Sequence, residues 1–242
     1  MKTVLQLSFN GSAYTGWQVQ PNTVSVQKTV QNAIEEALGH AVKLTGCSRT
    51  DSGVHAENYV CNIKTDRAIP EDAVVRGMNS FLPSSIAVKK CEIVDDGFHA
   101  RYNAVSKEYH YKILNSSVPD PFLSGRAYFL SAKLDVEKMA ADARLIEGTH
   151  NFASFMASGS KIVDPTRTVY KTSVTKEGDL ITFSISADGF LYNMVRIIVG
   201  TLVDLNLGRT PLTMTEIIEA QDRSKAGFTA SPDGLLLYRV NY

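Results

Sequence analysis

Apolar and polar positions alternate along residues 4–9, which predicts an opening strand, and Asn10-Gly11-Ser12 behind it is a turn signal. The period then lengthens. Val26, Val30, Ala33, Ile34 and Ala37 recur every three or four residues and predict one apolar helix face over 25–38. Ser25 suits the N-cap of that helix and Gly39 its C-terminal exit. One strand leads into a polar run at 46–56 and an apolar, β-leaning segment (Tyr59, Val60, Cys61, Ile63) leaves it. Pro70-Glu71-Asp72 opens a second helix, because proline suits a first turn and acids suit its positive end; Leu82-Pro83 ends it. A strand is expected over 86–94.

Strict alternation returns at 107–113. Tyr109, Tyr111 and Ile113 share one face, and Glu108, His110 and Lys112 the other. The turn-rich segment 115–124, with Pro119 and Pro121, is the expected boundary between two halves, 1–114 and 115–242. A helix is expected over 135–146, then strands over 168–176 and 180–187 around Glu177-Gly178-Asp179. Residues 190–207 are apolar almost all round and predict a central helix whose exceptions, Asn193, Arg196, Gly200 and Asp204, form one stripe. Thr213-Met214-Thr215-Glu216 is a capping box, and the chain closes in a strand at 235–242.

Composition narrows the class. The chain has 242 residues, 44% hydrophobic and 21% charged, which is ordinary for a globular protein. Its 25 basic and 25 acidic residues cancel, which argues against a uniformly basic nucleic-acid binder but allows a basic groove balanced elsewhere. Three cysteines, Cys47, Cys61 and Cys91, form no C-x-x-C pair, and their odd number fits a reducing compartment. The N-terminus enters a strand directly and lacks the apolar core of a signal peptide, so a cytoplasmic protein is expected. No phosphate-binding glycine loop or dinucleotide fingerprint is present, and the five histidines have no ligand spacing; neither cofactor nor metal is expected. His55-Ala56-Glu57 matches half of a zinc-deaminase signature whose P-C-x-x-C half is missing.

The chemistry concentrates in Gly46-Cys47-Ser48-Arg49-Thr50-Asp51-Ser52-Gly53-Val54-His55-Ala56. Thr50-Asp51-Ser52-Gly53 is ordinary turn chemistry, since Asp and Ser bond nearby backbone groups. It can equally present Asp51 as a nucleophile or general base beside Arg49, because a carboxylate of reference pKa about 3.9 is ionised at neutral pH without an activating base. Arg196, on an apolar helix, calls for an anionic partner to offset its desolvation. That partner is either a carboxylate serving structure alone or Asp51 itself.

Arg49-Thr50-Asp51-Ser52-Gly53-Val54-His55-Ala56 resembles the catalytic motif of the TruA family of tRNA pseudouridine synthases, with Ser48 where that family often has glycine. The likeness extends to Gly16-Trp17-Gln18-Val19-Gln20, to Phe98-His99-Ala100-Arg101 with the strand carrying Tyr109, and to 148–155. It continues through Phe190-Leu191-Tyr192-Asn193-Met194-Val195-Arg196. Gly227-Phe228-Thr229-Ala230-Ser231-Pro232 departs from the family's loop, with Phe228 in place of a proline.

The resemblance implies an α+β fold of two similar halves. Their antiparallel sheets would join into one, flanked by helices, with an active-site cleft between the halves. It implies isomerisation of uridine to pseudouridine at positions 38, 39 and 40 of the tRNA anticodon stem-loop, without a cofactor, by a homodimer. Asp51 would attack the base ring or the ribose carbon, with Arg196 holding its carboxylate ionised and oriented. Tyr109 would stack on the base or remove a late proton. Arg49 would fill the vacated space or hold a phosphate. Arg101, Lys107 and Arg167 would contact RNA, and Lys161, Lys171, Arg209, Arg223 and Lys225 are further candidates for a basic groove. The alternative is a non-catalytic RNA-binding protein of the same fold.

Overall fold

The computed structural model describes residues 1–65, 70–160 and 162–242. Along the chain run β1 (Lys2–Phe9), α1 (Val26–Leu38), β2 (Thr45–Gly46), β3 (His55–Lys64), α2 (Glu71–Phe81), β4 (Ile86–Val94) and β5 (Ser106–Leu114). There follow β6 (Tyr128–Phe129), α3 (Val136–Arg144), β7 (Gly148–Asn151), β8 (Thr166–Glu177), β9 (Leu180–Ala187), α4 (Met194–Asn206), α5 (Met214–Ala220) and β10 (Leu235–Asn241). The fold is α+β. It divides into two compact units, Met1–Val105 with Leu236–Tyr242, and Ser106–Leu235.

The first unit holds a sheet in the order β4-β1-β3-β10, with β2 added against β3. Strand β1 is antiparallel to both neighbours, and the register of β1 on β3 shifts between Leu7 and Phe9, bringing Phe9 opposite Ala56. β10 pairs parallel to β3 through Leu236 opposite His55. No tight hairpin fixes the direction of two strands so far apart in sequence. α1 is capped as its sequence predicts: Ser25 accepts from Lys28 N–H, and Gly39 exits at φ 73°. Its apolar face, Val26, Val30, Ala33 and Ile34, is buried, and α1 packs with α2, which lies on β4.

The second unit holds a sheet in the order β5-β9-β8-β7, all antiparallel, with β6 added parallel to β5. The predicted alternation of β5 holds: Tyr109, Tyr111 and Ile113 are buried, and the residues between them are half-buried. α3 lies against β8 and α4. The two units divide at 105/106, where β5 begins and pairs along its length with β9, and the closing strand counts with the first unit.

α4 starts four residues later than its apolar run predicts. Asn193 takes the left-handed conformation at φ 59° as its N-cap, a state asparagine tolerates better than most residues, so the chain turns before the helix begins. Within α4 ten of thirteen residues are buried, as a central helix requires.

Candidate active site

The first unit displays Asp51 on a turn between β2 and β3, and the turn is held from three sides. Gly53 N–H donates to Tyr14 O at 3.1 Å, and Trp17 N–H donates to Thr50 O at 3.2 Å. Gly11 N–H donates to His55 Nδ1 at 3.0 Å, so Nδ1 is the lone-pair nitrogen of this buried ring. Beneath the turn, Tyr59 on β3 donates its hydroxyl to Ser48 O and stacks on Trp17 with ring centroids 4.1 Å apart. Trp17 is therefore a core anchor.

Glycines make this closeness possible. A Cβ on Gly16, whose φ is +85°, would lie 2.3 Å from Thr50 O; one on Gly11 would lie 1.9 Å from Val54 O; one on Gly46 would meet the Tyr59 hydroxyl at 2.2 Å. Asp51 itself is half-buried and Arg49 is exposed.

The second unit fixes Arg196 by other means. Its Nε donates to Ala230 O at 2.7 Å and its Nη1 to Asn193 Oδ1 at 3.0 Å, while Ala230 N–H returns a bond to Arg196 O. The 227–232 loop thus lies along α4. It gets there through two glycines: a Cβ on Gly200 would sit 1.8 Å from Phe228 O, and one on Gly227 2.7 Å from Gly200 O. Arg223 spreads its guanidinium over the same loop, donating to Ala226 O, Gly227 O and Thr229 Oγ1. Tyr111 on β5 donates its hydroxyl to Ser231 O at 2.7 Å, and burial pushes the pKa of that hydroxyl well above the ordinary tyrosine range. Tyr109 is buried too, with its ring edge-to-face on Phe190 at 4.9 Å.

A family model described as tRNA pseudouridine synthase matches residues 7–103 and 143–242. The chain belongs to the tRNA pseudouridine synthase family. It is similar to the tRNA pseudouridine synthase A of Thermoanaerobacter sp. (strain X514), 43% identical over 240 residues, covering 99% of this chain and 98% of that one. The Acetivibrio thermocellus protein of the same name is 44% identical, covering 98% of each chain. That of Bacillus subtilis (strain 168) is 41% identical, covering 100% of this chain and 99% of that one. Among solved structures, a Cbf5-Nop10-Gar1 complex aligns at 14% identity and a TM-score of 0.36, over 98% of this chain and 58% of that one. Membership makes the chain an enzyme of the isomerase class, a pseudouridine synthase.

Among the residues singled out in this pseudouridine synthase by sequence, Asp51, Arg49 and Arg101 lie in the first unit; Tyr109, Lys107, Arg167 and Arg196 lie in the second. Two candidate cations of the groove have structural employment. Arg223 serves the 226–229 segment, and Arg209 Nη1 meets Asp204 Oδ1 at 3.4 Å. Arg167 is half-buried and donates to Asp164 O and Thr166 O. Lys161 lies outside the described residues. Among the described residues no group of three His, Cys, Asp or Glu could hold a metal ion, and no helix is long and apolar enough to cross a membrane.

Sequence reasoning missed Arg223 as a clamp and Tyr59 and Tyr111 as supports of the two loops. The alternation of β5 does place Tyr111 inward, and a buried phenol needs a partner, so a tether from Tyr111 was open to inference. Arg223 carries no local signal, because its acceptors are two backbone carbonyls and one threonine hydroxyl of a loop without regular structure.

Proposed function

We propose that this chain isomerises uridine to pseudouridine in the anticodon stem-loop of tRNA, at positions 38, 39 and 40, with Asp51 as nucleophile and no cofactor. The reading rests above all on the turn that carries Asp51. A half-buried carboxylate on a backbone clamped by close-packed glycines is a pre-set reactive group, which positioning-based catalysis needs. The target base first leaves the stack. Asp51 bonds to the base ring or the ribose carbon, the bond between N1 and the ribose C1′ breaks, and the ring turns. C5 bonds to C1′ and the bond to Asp51 is released; the C5 hydrogen leaves as a proton and N1 takes one up. Substrate and product are isomers, so no oxidant, reductant or group donor is consumed.

In this reading Arg196 keeps the Asp51 carboxylate ionised and oriented. Tyr109 stacks on the base or takes the late proton. Arg49 fills the space left in the helix or holds a phosphate, and Arg101, Lys107 and Arg167 contact the RNA backbone. The enzyme works in the cytoplasm as a homodimer with tRNA lying across both subunits, which combines the cations of two chains that are each neutral overall.

Release of tritium from C5-labelled uridine in tRNA transcripts, measured in chelator, tests this directly. Wild type should release the label, and Asp51→Asn should lower the rate on the order of a thousand-fold or more. Wild-type turnover in Asp51→Asn would remove the nucleophile assignment.

A further inference from the structure

Residues 98–103 of the first unit form a small loop that neither the Asp51 turn nor the Arg196 loop uses. At its tip Tyr102 is 76% exposed, a high value for an aromatic ring. The ring is not loose. It lies against the His99 imidazole with centroids 4.3 Å apart and planes 33° from parallel, and the Arg101 guanidinium stands 5.7 Å from its centroid. His99 Nδ1 accepts both Arg101 N–H at 3.1 Å and Tyr102 N–H at 3.3 Å, so the imidazole fixes the backbone beneath its own stacking partner. Asn103 closes the loop, accepting His99 N–H on its side-chain oxygen and donating its own N–H to His99 O.

The loop is also fastened to the body of the unit at three points. Lys2 Nζ donates to Phe98 O at 2.6 Å, the fully buried Ala100 donates its N–H to Asn62 Oδ1 at 2.8 Å, and the Tyr242 hydroxyl donates to Ala100 O at 2.7 Å. Phe98 packs on Tyr242 with centroids 5.0 Å apart. A single exposed tyrosine is ordinary. An exposed ring with a guanidinium beside it, on a loop already ordered by side chains from β1, β3 and the C-terminus, has little freedom left to lose on binding.

We propose that Tyr102, backed by His99 and flanked by Arg101, is a stacking platform for an unpaired nucleobase of the RNA substrate. The proposal rests on the tRNA reading above. Every base has a π-face that an aromatic ring can stack on, and an arginine adds a cation for the base face or the adjoining phosphate. Such a grip matters here because the chain has no net positive charge with which to hold RNA by charge alone. A protein partner is the competing occupant. The guanidinium beside the ring and the membership of an RNA-modifying family favour RNA.

The test uses the full chain. Wild type, Tyr102→Ala and Tyr102→Phe are titrated against an unmodified tRNA transcript and against a single-stranded oligonucleotide carrying 2-aminopurine, whose fluorescence falls when it stacks. Tyr102→Ala should bind the transcript roughly five- to a hundred-fold more weakly and lose the quench, whereas Tyr102→Phe should keep both. Affinity within twofold of wild type for Tyr102→Ala would overturn the platform, as would equal losses in both variants. Altered self-association on sedimentation, with RNA affinity unchanged, would assign the surface to a protein contact and overturn it too. The two readings fail separately. Tritium release by wild type with Tyr102→Ala unaffected removes the platform alone. Absence of release from wild type, with a Tyr102-dependent quench retained, removes the reaction alone.

Discussion

The turn bearing Asp51 and the loop along Arg196 solve one problem in two ways. Each must hold irregular backbone rigidly, and each rests on a buried tyrosine from a neighbouring strand that donates to a serine carbonyl, Tyr59 to Ser48 and Tyr111 to Ser231. Above that shared support they diverge. The Asp51 turn is gripped by backbone against backbone at Gly11 and Gly16, while Gly46 makes room for the Tyr59 hydroxyl and the Trp17 ring. The 227–232 loop has one such approach, at Gly200 and Gly227, and relies otherwise on the side chains of Arg196 and Arg223. Backbone contact leaves a turn no room to adjust. Side-chain clamps can be weakened one donor at a time.

The sharpest way to break the comparison is to add one methyl group to each. Gly16→Ala meets two penalties, a left-handed backbone and a carbonyl 2.3 Å from the new carbon. It should destabilise the chain by about 2–5 kcal/mol, from about 1–2 for the backbone and about 1–3 for overpacking. Gly200→Ala meets only overpacking, and the gain in helix propensity within α4 offsets about 1 kcal/mol of it. Urea unfolding of the two variants should therefore separate clearly, with Gly16→Ala the worse. Tritium release should fall in both, because one displaced segment carries Asp51 and the other holds the acceptor of Arg196, Ala230 O. An equal loss of stability would mean that the two loops are held in the same way after all.

The same contrast explains how much was legible in the sequence. β1, α1, α2 and β4 follow from periodicity and caps within their own segments, and the Asp51 turn announces itself because glycine, aspartate and serine stand side by side. The seat of Arg196 does not. Its acceptor, Ala230, lies 34 residues away, and the glycines that allow the approach, 200 and 227, sit in unrelated segments. Periodicity also overran the start of α4, since nothing apolar distinguishes residues 190–193 from the helix behind them; the break comes from the left-handed Asn193, whose side chain serves Arg196. β6, two residues long, is too short for any period to register.

Arg223 sharpens the side-chain half of the comparison at intermediate cost. Its planar fork reaches three acceptors on the 226–229 segment. Lysine is a point charge on a flexible stem and cannot reproduce that geometry. Arg223→Ala should lose about 1.5–3 kcal/mol, in the range of hydrogen bonds made by a charged group, and Arg223→Lys should recover less than half of it. As a positioning residue it should lower kcat for tRNA more than it raises KM. A change confined to KM would instead return Arg223 to the RNA groove.

The smallest effects belong to the two tyrosine supports, and they test what the loops have in common. Tyr59→Phe and Tyr111→Phe each remove one hydroxyl and leave a serine carbonyl short of a donor, at about 1–2 kcal/mol apiece. Tyr111 adds a dependence on pH. Burial is the main cause of its raised pKa, and the nearby Arg196 guanidinium opposes that shift without cancelling it. A group whose folded-state pKa is raised stabilises the fold fully below its unfolded value, about 10 for tyrosine. As pH climbs past that value the unfolded chain loses the proton first, and the contribution shrinks until the folded hydroxyl titrates as well. The stability gap between wild type and Tyr111→Phe should therefore be constant from neutral pH to about 10 and narrow above it. A gap that widened in alkali would mean that the hydroxyl ionises more easily in the folded chain, and the Ser231 carbonyl could not then be what holds its proton.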